Sequence, residues 1–135
     1  VADLSAMDRS ERIDYLISLS ERFVEVPPTV ATRPWPAAAR VPGCESEVFA
    51  FVVPRPDRAL DIHFAVDNPQ GLTAKAWAAI LAEALSGRPD EEILAIPTDV
   101  VYAVFGRELS MGKNLGLAAM LGTVQNLARA AREEL

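Results

Sequence analysis

The sequence predicts an α+β fold, a small antiparallel sheet with one face covered by helices. Three observations predict it. An apolar run, Val48-Phe49-Ala50-Phe51-Val52-Val53, is followed after a Pro54-Arg55-Pro56-Asp57 turn by Leu60, Ile62, Phe64 and Val66 alternating with Asp61, His63 and Ala65. Amphipathic helical patterns stand on both sides of this strand pair. A strand pair alone is marginal in water, so helices must cover a face. The 135 residues form a single domain over residues 1–135, large enough for a real core.

Composition narrows the function classes. Hydrophobic residues make up 50% of the chain and charged ones 24%, as in a globular protein. No apolar run approaches the roughly 20 residues of a membrane helix, so no membrane is expected. The first residues show no basic stretch followed by an apolar one, so no secretory signal is expected. One cysteine allows no internal disulfide. A free thiol belongs in a reducing compartment, and the expected location is cytoplasmic. A net charge of −6 opposes phosphate-backbone binding, which excludes nucleic acid, and suits a basic partner surface.

Asp8-Arg9-Ser10-Glu11 reads as a capping box opening the first helix, with Ile13, Leu16, Ile17, Phe23 and Val24 as its apolar side, ending before Pro27-Pro28. Residues 26–43 are a long connection dense in proline, a pattern that forbids helix and central strand alike. Connections of this length usually serve function. Trp35 and Ala37-Ala38-Ala39 are expected to pin it to the body, and Arg33 and Arg40 are its charges. The first strand runs from Ser46 to Val53, apolar on both faces; the second is half-buried and antiparallel to it. Thr73 is placed to cap a helix carrying Ala76, Trp77, Ile80, Leu81, Ala84 and Leu85, stopped by Gly87. Pro89 suits the first position of a short helix that Pro97 ends. Another runs from Val100 to Phe105, closed by Gly106. Ser110 caps the last helix, whose stripe is Leu117, Leu121, Val124, Leu127 or Ala128, and Ala131.

The cysteine sits in Val41-Pro42-Gly43-Cys44-Glu45-Ser46-Glu47-Val48. Pro42 fixes its own φ and biases Val41 toward extended backbone, while Gly43 permits angles closed to other residues. Cys44 therefore falls at a shaped junction before a strand, which presents a reactive atom; a core cysteine more often lies on an apolar face. This stretch resembles the V-x-G-C-x-S-x-V signature of the SufE family, sulfur acceptors of cysteine desulfurases. Ala74-Lys75-Ala76 falls where that family carries Val-Lys-Gly after an Asp-Ser-Asp turn, here Asn68-Pro69-Gln70 without the carboxylates. Gly87-Arg88-Pro89-Asp90-Glu91-Glu92-Ile93 resembles its G-x-T-P-x-E-I helix start, with Arg88 in place of the threonine. Leu109-Ser110-Met111-Gly112-Lys113-Asn114-Leu115-Gly116-Leu117 resembles its L-x-P-S-R-x-N-G-L segment, with Lys113 for the arginine, so the planar fork is missing there.

The resemblance implies a SufE/IscU-like sandwich and a role in sulfur transfer. Cys44 would take persulfide sulfur from a SufS-type cysteine desulfurase and stimulate that enzyme. It would pass the sulfur to a SufB-type iron–sulfur assembly scaffold. Pyridoxal phosphate would belong to the desulfurase, with no cofactor or metal held by this chain. The chain would act as the persulfide-carrying partner of an enzyme rather than as an enzyme alone. Gly43, Glu45, Ser46, Lys75, Lys113 and Asn114 are the expected thiol-supporting or docking residues. Glu45 and Glu47 disfavour a thiolate at Cys44, so either Lys113, Arg33, Arg40 or the amides opening the last helix compensate, or the resting thiol is protonated and is activated only inside the partner complex. Val41, Val48, Trp35 and Phe105 are candidates to shelter the product persulfide.

Other readings stay open. A lone cysteine is often an inert small hydrophobe. The chain can be a regulatory binding module of the same fold that carries no sulfur, or a thiol-dependent redox protein. An iron–sulfur scaffold needs several ligands, and Cys44 with His63 supplies too few. His63 is also the only candidate base for a Cys-His hydrolase, and strand alternation points it away from the buried face.

Overall fold

The computed structural model describes residues 9–42, 47–67, 72–101 and 111–134, without the side chains at 9, 12, 13, 111–115 and 132–134. Helices α1 (Arg9–Glu21), α2 (Leu72–Leu85), α3 (Asp90–Leu94) and α4 (Met111–Glu134) accompany strands β1 (Val48–Pro54), β2 (Ala59–Val66) and β3 (Arg88–Pro89). The three-stranded sheet has the order β1-β2-β3 and is antiparallel throughout. This is the α+β arrangement that the sequence predicts.

β1 and β2 pair from Val48 opposite Val66 to Pro54 opposite Leu60. The turn between them is fixed by its own polar groups. Arg55 N–H donates to the Ala59 carbonyl (2.8 Å), and Asp57 Oδ1 accepts from Ala59 N–H (3.0 Å). An aspartate bonding two residues on is a common way to close a turn. Arg58 holds φ at +72° there.

Strand alternation then divides the side chains. Val48, Ala50, Leu60, Ile62, Phe64 and Val66 enter the main core together with the helices. α2 lies over β2, α4 over β1, α1 packs on α2 and α3 on α4. Trp77, fully buried, donates Nε1–H to the Leu117 carbonyl (2.9 Å), tying α2 to α4. Gln125 is a buried polar side chain of α4; its Nε2 donates to the carbonyls of Ile93 (3.1 Å) and Ile96 (2.7 Å). It thereby satisfies acceptors left over where α3 ends.

Several sequence expectations need correction. α1 ends at Glu21, so helical spacing no longer governs Phe23 and Val24. Val24 is 81% exposed and Ile17 is 40% exposed; Leu16 faces the core as expected, joined by Leu19. α2 starts at Leu72, which puts Thr73 inside the first turn rather than at the cap. Arg88-Pro89 pairs with β2, so Pro89 stands just before α3, extended at φ −70° and ψ 157°. No side chain caps α3; Asp90, Glu91 and Glu92 in its first turn complement the helix dipole instead. Arg88 donates Nε–H to the Ala84 carbonyl (2.6 Å) and pairs with Glu92 (3.3 Å). Gly87 does stop α2: at φ +87° it turns the chain and donates N–H to the Leu60 carbonyl (2.8 Å). In α4 Leu117, Leu121, Val124, Ala128 and Ala131 are buried as a stripe, Ala128 rather than Leu127 facing inward. The Val100 to Phe105 helix is described only at Val100 and Val101. Phe105, Gly106, Ser110 and Asp8 lie outside the described residues.

The second face of the sheet is covered without helices. Phe49 and Ala65 form a separate buried cluster with Val26 and Ala39, flanked by Val30, Ala31, Trp35 and Phe51. The proline-rich segment supplies this cover, which explains why β1 is apolar on both faces. It begins against β2, where Val26 N–H donates to the Phe64 carbonyl (3.0 Å). It crosses the face, with Trp35 near Phe49 and Phe51 (ring centroids 6.3 and 6.1 Å). It ends against β1, where Arg40 bridges Phe49. The segment thus crosses the sheet face from β2 to β1, and Cys44 follows its end in the sequence. Among the described residues no helix is long and apolar enough to cross a membrane.

Candidate functional site

Cys44, Gly43, Glu45 and Ser46 lie outside the described residues. The two ends of their turn are described, and both are anchored. Val41 N–H donates to the Val48 carbonyl (2.8 Å), and the Val41 and Val48 side chains are fully buried. On the exit side the Glu47 carbonyl accepts from Asp67 N–H (2.8 Å). The chain on either side of residues 43–46 is therefore held, where the proline-rich segment meets β1 and where β2 ends.

Beside the exit lies an open cleft of about 480 Å³ lined by Phe23, Glu25, Arg33, Glu47, Val66, Asp67 and Lys75. Its residues come from the stretch just after α1, the proline-rich segment, the residue before β1, the end of β2 with the residue after it, and the first turn of α2. Arg33 is one of its two basic lining residues. One guanidinium nitrogen lies 2.6 Å from Asp67 Oδ1 and 3.2 Å from Glu25 Oε1. The guanidinium also stands 5.1 Å from the centre of the Trp35 ring, within cation–π range. The close ion pair with Asp67, together with the charge of Glu25, raises the Arg33 pKa against a smaller effect of burial.

These contacts bear on the thiolate question. Arg33 is already matched by two carboxylates, so little of its charge is left to offset Glu45 and Glu47. Arg40, at the start of the turn, has an exposed side chain and no ion pair among the described residues. Lys75 is likewise without an ion pair among the described residues, and its half-buried side chain lines the cleft. Lys113 and Asn114 fall in the first turn of α4, and their side chains lie outside the described residues. The described residues of the expected persulfide shelter, Val41, Val48 and Trp35, do not share one surface. Val41 and Val48 belong to the helix-side core and Trp35 packs on the opposite face. His63, on the loop-covered face with Asp61, lines a different groove with Ser86 and Glu83.

Of the expected site residues, Lys75 is thus placed beside the exit of the cysteine-bearing turn. The cluster of Arg33, Asp67 and Glu25 is one that sequence reasoning misses. Its signal is Arg33, one of two charges in an otherwise uncharged proline-rich run, together with an aspartate directly after the second strand.

Comparison with known proteins bears directly on this arrangement. The solution structure of a hypothetical protein from Thermus thermophilus shares the fold, with a TM-score of 0.72, 23% identity, and coverage of 96% of this chain and 90% of that one. An uncharacterized SufE-like protein of Mycobacterium tuberculosis is 26% identical over 133 residues, 97% of this chain and 90% of the relative. SufE-like protein 1, chloroplastic/mitochondrial, of Arabidopsis thaliana is 38% identical over 92 residues, 66% of this chain and 24% of the plant protein. The family profile described as "SufE: Fe-S metabolism associated domain" matches residues 1–128. With nearly the whole chain matched, and with the V-x-G-C-x-S-x-V stretch carried between two anchored ends, this protein belongs to the SufE family.

Proposed function

We propose that this chain is a sulfur acceptor, loaded at Cys44 by a SufS-type cysteine desulfurase and unloaded to a SufB-type iron–sulfur scaffold. In the loading step the Cys44 thiolate attacks the outer sulfur of the persulfide on the donor's cysteine. A new S–S bond forms at Cys44, the donor's S–S bond breaks, and the donor cysteine leaves as thiolate. No external oxidant or reductant is needed, as in thiol–disulfide exchange. Pyridoxal phosphate stays with the desulfurase, and the reaction belongs in a reducing cytoplasm.

The observation that carries this reading is the family signature around Cys44, set between the hydrogen-bonded anchors Val41 and Val48. Lys75, and Gly43, Glu45, Ser46, Lys113 and Asn114 by resemblance, are the proposed docking and thiol-supporting residues. The test is alanine release by a cysteine desulfurase supplied with cysteine. The chain should raise the turnover rate severalfold, and Cys44→Ser should abolish the effect. Stimulation that survives Cys44→Ser would instead establish a regulatory module that carries no sulfur.

A further inference from the structure

The cysteine-bearing turn leaves through Glu47, and Glu47 is held by the backbone of Asp67 (2.8 Å). The side chain of Asp67 is in turn held by Arg33 (2.6 Å), and it is only 17% exposed. Arg33 sits on the wrapping segment, braced by Glu25 (3.2 Å) and by the Trp35 ring. A continuous line of contacts therefore runs from the wrapping segment, through one guanidinium, to the exit of the turn. Ordinary surface ion pairs contribute little. This one differs because a single nitrogen serves two carboxylates, and one of them belongs to a residue whose amide fixes the chain next to the reactive turn.

We propose that Arg33 is a positioning residue: through Asp67 it fixes the exit of the Cys44 turn, and so sets how the thiol is presented to a sulfur donor. Arg33 touches neither donor nor transferred sulfur in this scheme. Its effect passes through Asp67 and Glu47. The thiol half of the statement rests on the sulfur-acceptor reading, while the positioning of Glu47 does not. Losing the guanidinium frees the Asp67 carboxylate and loosens the Asp67–Glu47 bond that anchors the chain three residues beyond Cys44.

The experiment reads the two halves separately. Amide hydrogen exchange in the free protein compares wild type with Arg33→Ala, Arg33→Lys and Asp67→Asn. Arg22→Ala, which breaks a pair with Glu83 (2.8 Å) away from the cleft, serves as control. Exchange at the backbone amide of position 67 should rise about fivefold or more in Arg33→Ala and Asp67→Asn. It should stay near wild type in Arg33→Lys, whose ammonium can still meet both carboxylates, and in the control. The buried Ala65 amide should not change in any of them. A position-67 amide within about twofold of wild type in both disruptive variants would overturn the proposal, as would an equal rise at Ala65. Single-turnover sulfur loading at saturating desulfurase should fall about threefold or more in Arg33→Ala and recover in Arg33→Lys. Unchanged loading in Arg33→Ala would overturn the presentation claim. A wild-type chain that never loads would overturn the acceptor reading and the presentation claim with it, leaving the exchange data to decide the positioning of Glu47.

Discussion

Asp61 shows how a single side chain can be read in both sequence and structure. Alternation along β2 places it opposite the helix-facing row, and there it meets the Arg55 guanidinium. The hydrogen bond from Arg55 pulls its pKa below the ordinary 3.8 against the opposing effect of burial, helped by the charges of Arg55 and His63. A depressed carboxylate contributes stability that is complete above the ordinary value and is lost as pH falls through the folded one. Urea denaturation between about pH 6 and pH 3 should therefore show a smaller acid-induced loss for Asp61→Asn than for wild type. Gln125 makes the complementary case, a polar residue that no pattern singles out. Its two backbone partners are Ile93 in α3 and Ile96 just beyond it, contacts that periodicity within α4 cannot reveal. Gln125→Leu should cost about 1–3 kcal/mol in urea denaturation, because buried carbonyls lose their donor.

Among the elements, those with strong local signals are legible. β1, β2, α2 and the stripe of α4 follow from alternation, helical spacing and a glycine stop. Gly87 is legible because its position demands a left-handed backbone, observed at φ +87°. Gly87→Ala should cost about 1–2 kcal/mol by the same denaturation measurement, since a Cβ is strained at that angle. The boundaries of α1, α2 and α3 shift because their ends are set by tertiary partners. Pro89 is drawn into β3 by β2, and Val24 is released where α1 ends early. The wrapping segment is the least legible element. Proline density says what it cannot be, and only β1's two apolar faces hint that it covers the sheet. Trp35 anchors that cover while remaining partly exposed. Trp35→Ala should therefore cost about 2–3 kcal/mol, below the range for a fully buried tryptophan, and raise hydrogen exchange across residues 26–41.

At the scale of the molecule the wrap and the sheet form one frame, and Val41 and Glu47, which stand on either side of residues 43–46, are both hydrogen-bonded to it. The helices stabilise the frame from one side and the proline-rich segment from the other. The proposed site is read from the sequence alone, because Cys44 lies in a recognisable signature between a proline and a strand. The electrostatics around it are not, because Arg33, Asp67 and Glu25 come from separate parts of the chain and meet only when the wrap closes on the sheet. The central claim is that this frame presents one sulfur atom for loading by another protein. The most direct measurement is the intact mass of the chain after incubation with a cysteine desulfurase and cysteine. The account predicts a gain of one or more sulfur atoms, removed by reductant and absent in Cys44→Ser; an unchanged mass under conditions where the desulfurase turns over would contradict it.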